Sequence, residues 1–446
     1  MTAAAPTVLD RLGIRLVPAD VGAGAGPAPE TLLGLALRHN PKRAQLLVSR
    51  LLGKHVPTDP RLVRAAGLLL GNRVADVLAG RPARVLPLEL LEAAVEGDPV
   101  AAAGLAAHAT VDPSDVLVLG FAETATGLGH CVAEALAADY LHSTRRPVPG
   151  FEPVGGFSEE HSHATEHLLL PGGAALLRGD RPLVLVDDEL STGRTVLNTV
   201  AALHAIAPRE RYVVAALVDV RTDDAALAAG VAALGARLDV VALGRAHVQL
   251  PDDLATRAEQ VKAAAVAPGE PVGGGNGRPA DRVALADLGW PAGLPVGGRH
   301  GFRRADHAAL TEALPRLART LATLAGLAEG ERTLVLGTEE LMALPLRLAQ
   351  SLADAGHDVA FSTTTRSPAV VIDEPGYALR SGITFPAHDD PADGPGPRYA
   401  YNVAGPWQHV LVVVDPPADT PGLWTGLLAA LAAAVPSARV TVVVTP

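Results

Sequence analysis

Residues 183–195 read Leu-Val-Leu-Val-Asp-Asp-Glu-Leu-Ser-Thr-Gly-Arg-Thr. An apolar run meets three acids, Asp187, Asp188 and Glu189, and then a turn of small and hydroxyl-bearing residues. Clustered carboxylates repel one another and are seldom buried without a partner. The stretch therefore calls for a hydroxyl-rich or cationic ligand. If the turn opens a helix, its backbone N–H groups form a phosphate cup, to which Ser191, Thr192 and Thr195 add hydroxyl donors. Gly193 lets the backbone approach closely. A cup beside a diacid suits a sugar phosphate, with phosphate in the turn Ser191-Thr192-Gly193-Arg194-Thr195 and vicinal hydroxyls on Asp187 and Asp188. The same two carboxylates suit Mg²⁺ bound to a further phosphate group.

Three other segments carry chemistry-bearing residues. Arg145 and Arg146, in Ser143-Thr144-Arg145-Arg146-Pro147, are forked donors suited to a diphosphate, or else a solvated surface pair. FSEEHSHATEH (157–167) packs three His and three Glu into eleven residues. It reads as a loop that closes over the ligand, with His161 and His163 at the reacting centre. Alternatively it is a metal site of His161, His163 and His167, or a polar surface loop. RHNPKRAQLLVSRLLGKHVP (38–57) holds five basic residues and no acid, including two of the chain's three lysines, Lys42 and Lys54. It reads as a basic amphipathic helix that serves a diphosphate or simply covers the core.

The elements that must position these groups alternate. Leu, Val and Ala recur at helical spacing over 31–53 and 61–80. Apolar runs follow at 116–120, 183–187, 212–220 and 238–244, separated by helical stretches at 128–139 and 195–205. This order predicts a parallel α/β sheet. The Gly- and Pro-rich stretch 266–282 reads as a linker. It divides a first domain, 1–265, from a second, 283–446. The second repeats the first: LVLGTEELM and TTRSP (334–368) follow LVLGFAETA and STRRP (117–147), and VLVVVD (410–415) follows LVLVD (183–187). Gly120 to Asp187 spans 67 residues, and Gly337 to Asp415 spans 78. This predicts a duplicated unit with Asp415 over Asp187. In the second copy Pro416 replaces the second acid, and Pro416 and Pro417 remove N–H donors, so no phosphate cup is expected there. Its polar residues Glu339, Glu340, Thr365, Arg366, Ser367, Arg398 and Tyr399 read either as a separate anion site or as packing.

The chain of 446 residues carries a net charge of −11, which argues against a nucleic-acid binder. Hydrophobic residues make up 48% and aromatics 3%, so the core should be aliphatic. One cysteine, no signal-like leader and no membrane-length apolar run predict a soluble, cytoplasmic protein.

The stretch 183–195 resembles the phosphoribosyl pyrophosphate (PRPP) motif of type I phosphoribosyltransferases. GFAETATGLGHCV, STRRP, FSEEHSHATEH and TTRSP together resemble a bacterial group that fuses such a domain to a C-terminal TRSP domain, associated with tellurium-resistance-type gene neighbourhoods. The resemblance implies a type I parallel sheet with flanking helices, followed by a second α/β domain that is a degenerate copy. It implies that Asp187 and Asp188 hold the ribose and Mg²⁺, and that Ser191 to Thr195 hold the 5′-phosphate. It also implies that the turn with Glu123 and Thr124 binds pyrophosphate, and that 157–167 is the catalytic loop. One departure stands out. In the hypoxanthine-guanine branch an acid acts on the purine from the position of Ser191, which puts such a purine in doubt. The expected activity is transfer of ribose 5-phosphate from PRPP to a small nitrogenous acceptor, toward a nucleoside-like metabolite. The alternatives are a non-catalytic PRPP or nucleotide sensor and a metal-dependent hydrolase. No nucleic-acid or membrane partner is expected, and a homodimer is left open.

Overall fold

The computed structural model describes residues 7–19, 26–40, 44–158, 166–265, 280–388 and 396–446. The first half contributes β1 (Arg15–Pro18), β2 (Leu33–Arg38), β3 (Gln45–Ser49), β4 (Leu117–Gly120), β5 (Asp139–His142), β6 (Gly155–Ser158), β7 (Glu166–Leu169), β8 (Leu183–Leu190), β9 (Arg211–Asp219) and β10 (Arg237–Gln249). The second contributes β11 (Asp281–Ala284), β12 (Arg332–Gly337), β13 (Asp358–Thr363), β14 (Ala369–Val370), β15 (Gly382–Phe385), β16 (Arg398–Tyr401), β17 (His409–Val414) and β18 (Arg439–Val444). The strands of β4 and β17 are buried along their whole length, as expected of strands covered on both faces.

Two parallel sheets result. The first runs β1-β10-β9-β8-β4-β5, parallel except for β1. The second runs β11-β18-β17-β12-β13, parallel throughout. Strands β10-β9-β8-β4-β5 and β11-β18-β17-β12-β13 correspond in order, although β11 enters first in its half. The turn after the leading strand is also copied. In one half the Ala122 N–H donates to Ser143 Oγ (2.9 Å) and the Ser143 N–H to the Gly120 carbonyl (3.0 Å). In the other the Glu339 N–H donates to Thr364 Oγ1 (3.1 Å) and the Thr364 N–H to the Gly337 carbonyl (3.0 Å). On this match Glu123 corresponds to Glu340, and Thr144-Arg145 to Thr365-Arg366.

One expectation shifts by a residue. Leu117 lies opposite Leu183 and Leu334 opposite Val410. Aligned on these pairs, Val414 takes the place of Asp187, and Asp415 falls over Asp188. β8 keeps pairing with β9 as far as Leu190, whereas β17 stops at Val414, because Pro416 and Pro417 cannot donate to a ladder.

The stretch 31–53 is not one helix. Most of it is the antiparallel hairpin β2–β3, which β14 of the second half extends. Burial alternates along β3, the period of a half-covered strand. Asp281 and Arg282, expected in the linker, open β11; residues 266–279 lie outside the described residues. The helix Pro60–Leu78 starts where expected, with Asp59 capping the Arg61 N–H (2.8 Å) and Pro60 in the first turn. It crosses the helix Thr126–Ala135 closely: a Cβ on Gly67 would lie 2.4 Å from Cys131 Cβ.

The halves interlock through exchanged segments. Thr58, ahead of the helix Pro60–Leu78, pairs with Phe361 of β13; Phe302, ahead of the helix Arg304–Ala325, pairs with Tyr140 of β5. One apolar cluster holds Leu70, Leu128 and Val132 together with Leu314, Leu344 and Leu348. No helix among the described residues is long and apolar enough to cross a membrane.

Candidate active site

A cavity of about 790 Å³ opens at the carboxyl ends of β4, β5 and β8, where open α/β sheets bind ligands. Asp187 and Asp188 line it, together with Glu189. They sit inside β8 rather than after it, because the ladder to β9 continues through them. Their side chains alternate across the sheet, and the Asp187 carboxylate accepts the Asp188 N–H (3.0 Å). Burial pushes the Asp188 carboxyl above its ordinary value, against the hydrogen bond from Asp187 and the charge of Lys54. Proximity to cations or ligand hydroxyls would relieve it.

Ser191, Thr192, Gly193 and Thr195 line the same cavity. Gly193 has φ +74° and caps the helix Arg194–Ile206, so its positive φ turns the chain from strand to helix at the cavity wall. The first N–H groups of that helix have no partner within the helix and could donate to an anion. Arg194 begins the helix, but its exposed side chain is not part of the lining.

Across the cavity, Glu123 and Thr124 follow β4. Lys54 is buried to 4% exposure and reaches them from the loop after β3. Its Nζ lies 2.7 Å from Glu123 Oε1 and donates to Thr124 Oγ1 at 3.0 Å. Burial alone would raise the Glu123 carboxyl, but Lys54, Arg366 and the Thr365 hydroxyl hold it below its ordinary value. Lys54 thus stands where a cation was expected, on a loop and not on a basic helix.

Arg145 lines the cavity, and its N–H donates to Glu340 (2.8 Å). Arg146 does not line it. The guanidinium of Arg146 lies 3.3 Å from Asp415 in the second half, because successive residues leave the strand end on opposite sides. His161 and His163 lie outside the described residues. His167, on β7, lines the cavity, stacks on Phe157 (centroids 4.6 Å apart) and shares a 2.9 Å hydrogen bond with Ser143 Oγ.

Other lining residues were not foreseen as part of this site. His39 and Leu46 come from the β2–β3 hairpin, and His55 follows Lys54; Arg38, from the same hairpin, is one of the five basic residues of 38–57 expected to serve a diphosphate. Burial drives the His55 imidazole down to about 3, so it is neutral at physiological pH. Thr365 to Pro368 and Gly396 to Tyr399 come from the second half. These were visible in the sequence as a polar cluster, but only tertiary packing brings them to Asp187. Among the described residues no group of three or more His, Cys, Asp or Glu is placed to hold a metal. Two carboxylates completed by water and substrate oxygens are a donor set that suits Mg²⁺, so Asp187 and Asp188 fit that ion.

Two protein families match the chain in succession. The family described as "Phosphoribosyl transferase" matches residues 32–247, and the family described as "TRSP domain C terminus to PRTase_2" matches 296–431. The chain belongs to this fused phosphoribosyltransferase–TRSP family. Similar solved structures include adenine phosphoribosyltransferase from Rhodothermus marinus, at 16% identity over 30% of this chain and 70% of that one (TM-score 0.22). The enzyme from Giardia lamblia, complexed with 9-deazaadenine, is 20% identical over 31% and 72% (TM-score 0.21). Orotate phosphoribosyltransferase from Aeropyrum pernix is 18% identical over 52% and 93% (TM-score 0.23). None of the curated proteins matches the chain. The cavity therefore lies where the phosphoribosyltransferase domain meets the TRSP domain.

Proposed function

We propose that the cavity binds PRPP and transfers its ribose 5-phosphate to a small nitrogenous acceptor, releasing diphosphate. The observation that carries this reading is the gathering of three subsites in one cavity: the Asp187–Asp188 pair, the Ser191–Thr195 turn, and the Glu123–Thr124 turn with Lys54. The 5′-phosphate takes the turn, where helix N–H groups and the Ser191, Thr192 and Thr195 hydroxyls donate. Asp187 and Asp188 accept from the ribose hydroxyls. Thr124, Lys54 and Arg145 face the diphosphate. Mg²⁺ held by Asp187 and Asp188 would neutralise part of the phosphate charge when bound.

In transfer, the acceptor nitrogen's lone pair forms the bond to C1. The C1–O bond breaks, and its electron pair leaves with diphosphate. The acceptor then loses its N–H proton to solvent or to the departing diphosphate. The chain contributes position and fixed charge, which stabilise the leaving group. Ser191 supports no acid–base role toward the acceptor ring. The test is incubation with PRPP, Mg²⁺ and a panel of nitrogenous bases, with diphosphate as the readout. Diphosphate release with a base supports the reading. A protein that binds PRPP tightly but releases no diphosphate with any base is a sensor.

A further inference from the structure

The TRSP domain forms one wall of the cavity because the two halves exchange contacts about the matched turns. Glu340 meets Thr144 and Arg145 of the first half: the Thr144 hydroxyl donates to it at 2.7 Å and the Arg145 N–H at 2.8 Å. Glu123, its counterpart, meets Thr365 and Arg366 of the second half; Arg366 Nε lies 3.8 Å from Glu123 Oε2. The segments leading into the exchanged helices complete both sets. Arg299 lies 3.3 Å from Glu340, and Lys54 lies 2.7 Å from Glu123.

The two crossings differ in what lies beyond them. On the Glu340 side, Asp415 pairs with Arg146 (3.3 Å) and Arg299 (3.7 Å), and Pro416 and Pro417 leave no cup. On the Glu123 side the crossing opens into the cavity. There Arg366 lines the wall beside Lys54 and Thr124, with 18% of its side chain exposed.

We propose that Arg366, supplied by the TRSP domain, binds the diphosphate end of the substrate in the cavity of the phosphoribosyltransferase domain. This rests on the PRPP reading above. Arg366 is already oriented: its Nε donates to Glu339, which also accepts from Arg398 Nε (2.7 Å). Its planar fork matches adjacent phosphate oxygens better than a point charge does. Burial and the neighbouring Glu123 push the Glu339 carboxyl above its ordinary value, against the charges of Arg366 and Arg398. The arrangement gives the second copy a part in the site of the first. Its own strand end carries Pro416 and Pro417 in place of a cup, while its TRSP turn lines the other copy's cavity.

Calorimetry on the full-length chain tests this with three probes: PRPP, ribose 5-phosphate and inorganic diphosphate. Arg366→Gln should weaken PRPP and diphosphate about 10- to 100-fold, the loss of a charge-assisted hydrogen bond, and leave ribose 5-phosphate within about 2-fold of wild type. Arg366→Lys keeps the pair with Glu339 and protects the fold; it should bind PRPP several-fold more weakly, again with ribose 5-phosphate intact. Unchanged PRPP binding in both variants would overturn the proposal. So would a parallel loss of PRPP and ribose 5-phosphate, which marks a structural role. A wild-type chain that binds neither sugar phosphate would overturn the PRPP reading itself.

Discussion

Replacing Glu340 by Gln should loosen the crossing between the halves in a pH-dependent way. Glu340 is 5% exposed and accepts from the Thr144 hydroxyl and the Arg145 N–H, with Arg299 beside it. Burial alone would raise its carboxyl, but Arg299, His142 and these donors bring it down to about 2, against an ordinary value of 4.5. The gap between 4.5 and about 2 corresponds to about 3 kcal/mol of stability at neutral pH. Because the native value is the lower one, the contribution is complete above about pH 4.5 and fades as pH falls toward 2. About 2 kcal/mol should remain at pH 3.5. Gln keeps the shape and an acceptor oxygen but not the charge. Urea unfolding of wild type and Glu340→Gln, followed at pH 7, 5 and 3.5, should show a difference near 3 kcal/mol at the first two values and a smaller one at the third. A difference that is negligible at pH 7, or that grows toward pH 3.5, would refute the assignment of a buried, ion-paired carboxylate.

Three further outcomes follow. Asp187→Asn with Asp188→Asn should reduce PRPP affinity more than about 100-fold by loss of two charged acceptors, while melting stays at or above wild type, because Asp188 is buried at a cost; wild-type affinity by calorimetry would remove the ribose assignment. Gly193→Ala should lower stability by about 1–2 kcal/mol, since φ is +74° and the added Cβ would sit 3.0 Å from Leu227. Its binding of ribose 5-phosphate should fall as well, and an unchanged melting curve would count against the tight turn. Arg347→Met should destabilise the chain by about 3 kcal/mol, because Glu134, held at about 2 between Arg347 (2.5 Å) and Arg64 (2.6 Å), would lose one of two partners; denaturant midpoints decide it.

Legibility in the sequence followed the range of the interactions. The stretch 183–195 can be read because strand, diacid and glycine turn are contiguous, and each residue type has a local reason to be there. The repeated order of strands can be read for the same reason. The β2–β3 hairpin cannot: Leu46 to Val48 carry too few residues to separate a period of two from a helical one, and the strand that extends it, β14, lies more than 300 residues away. Arg145 and Arg146 look alike in sequence, yet one faces the cavity and the other Asp415. Arg366 and Arg398 were conspicuous at strand ends, but nothing local says whose cavity they enter. The one-residue offset of Asp415 depends on strand register, which follows pairing rather than spacing.

The exchanged edge segments also govern how the chain can be made. During synthesis, β4 and β5 emerge long before Phe302, the residue that pairs with Tyr140 at the β5 edge. At a ribosomal pace of roughly 5–20 residues per second, that edge waits on the order of ten seconds for its cover. Thr58 waits longer still for Phe361. An uncovered parallel edge is a template for other chains. A message truncated before the codon for Phe302 should yield a less soluble product than the full chain.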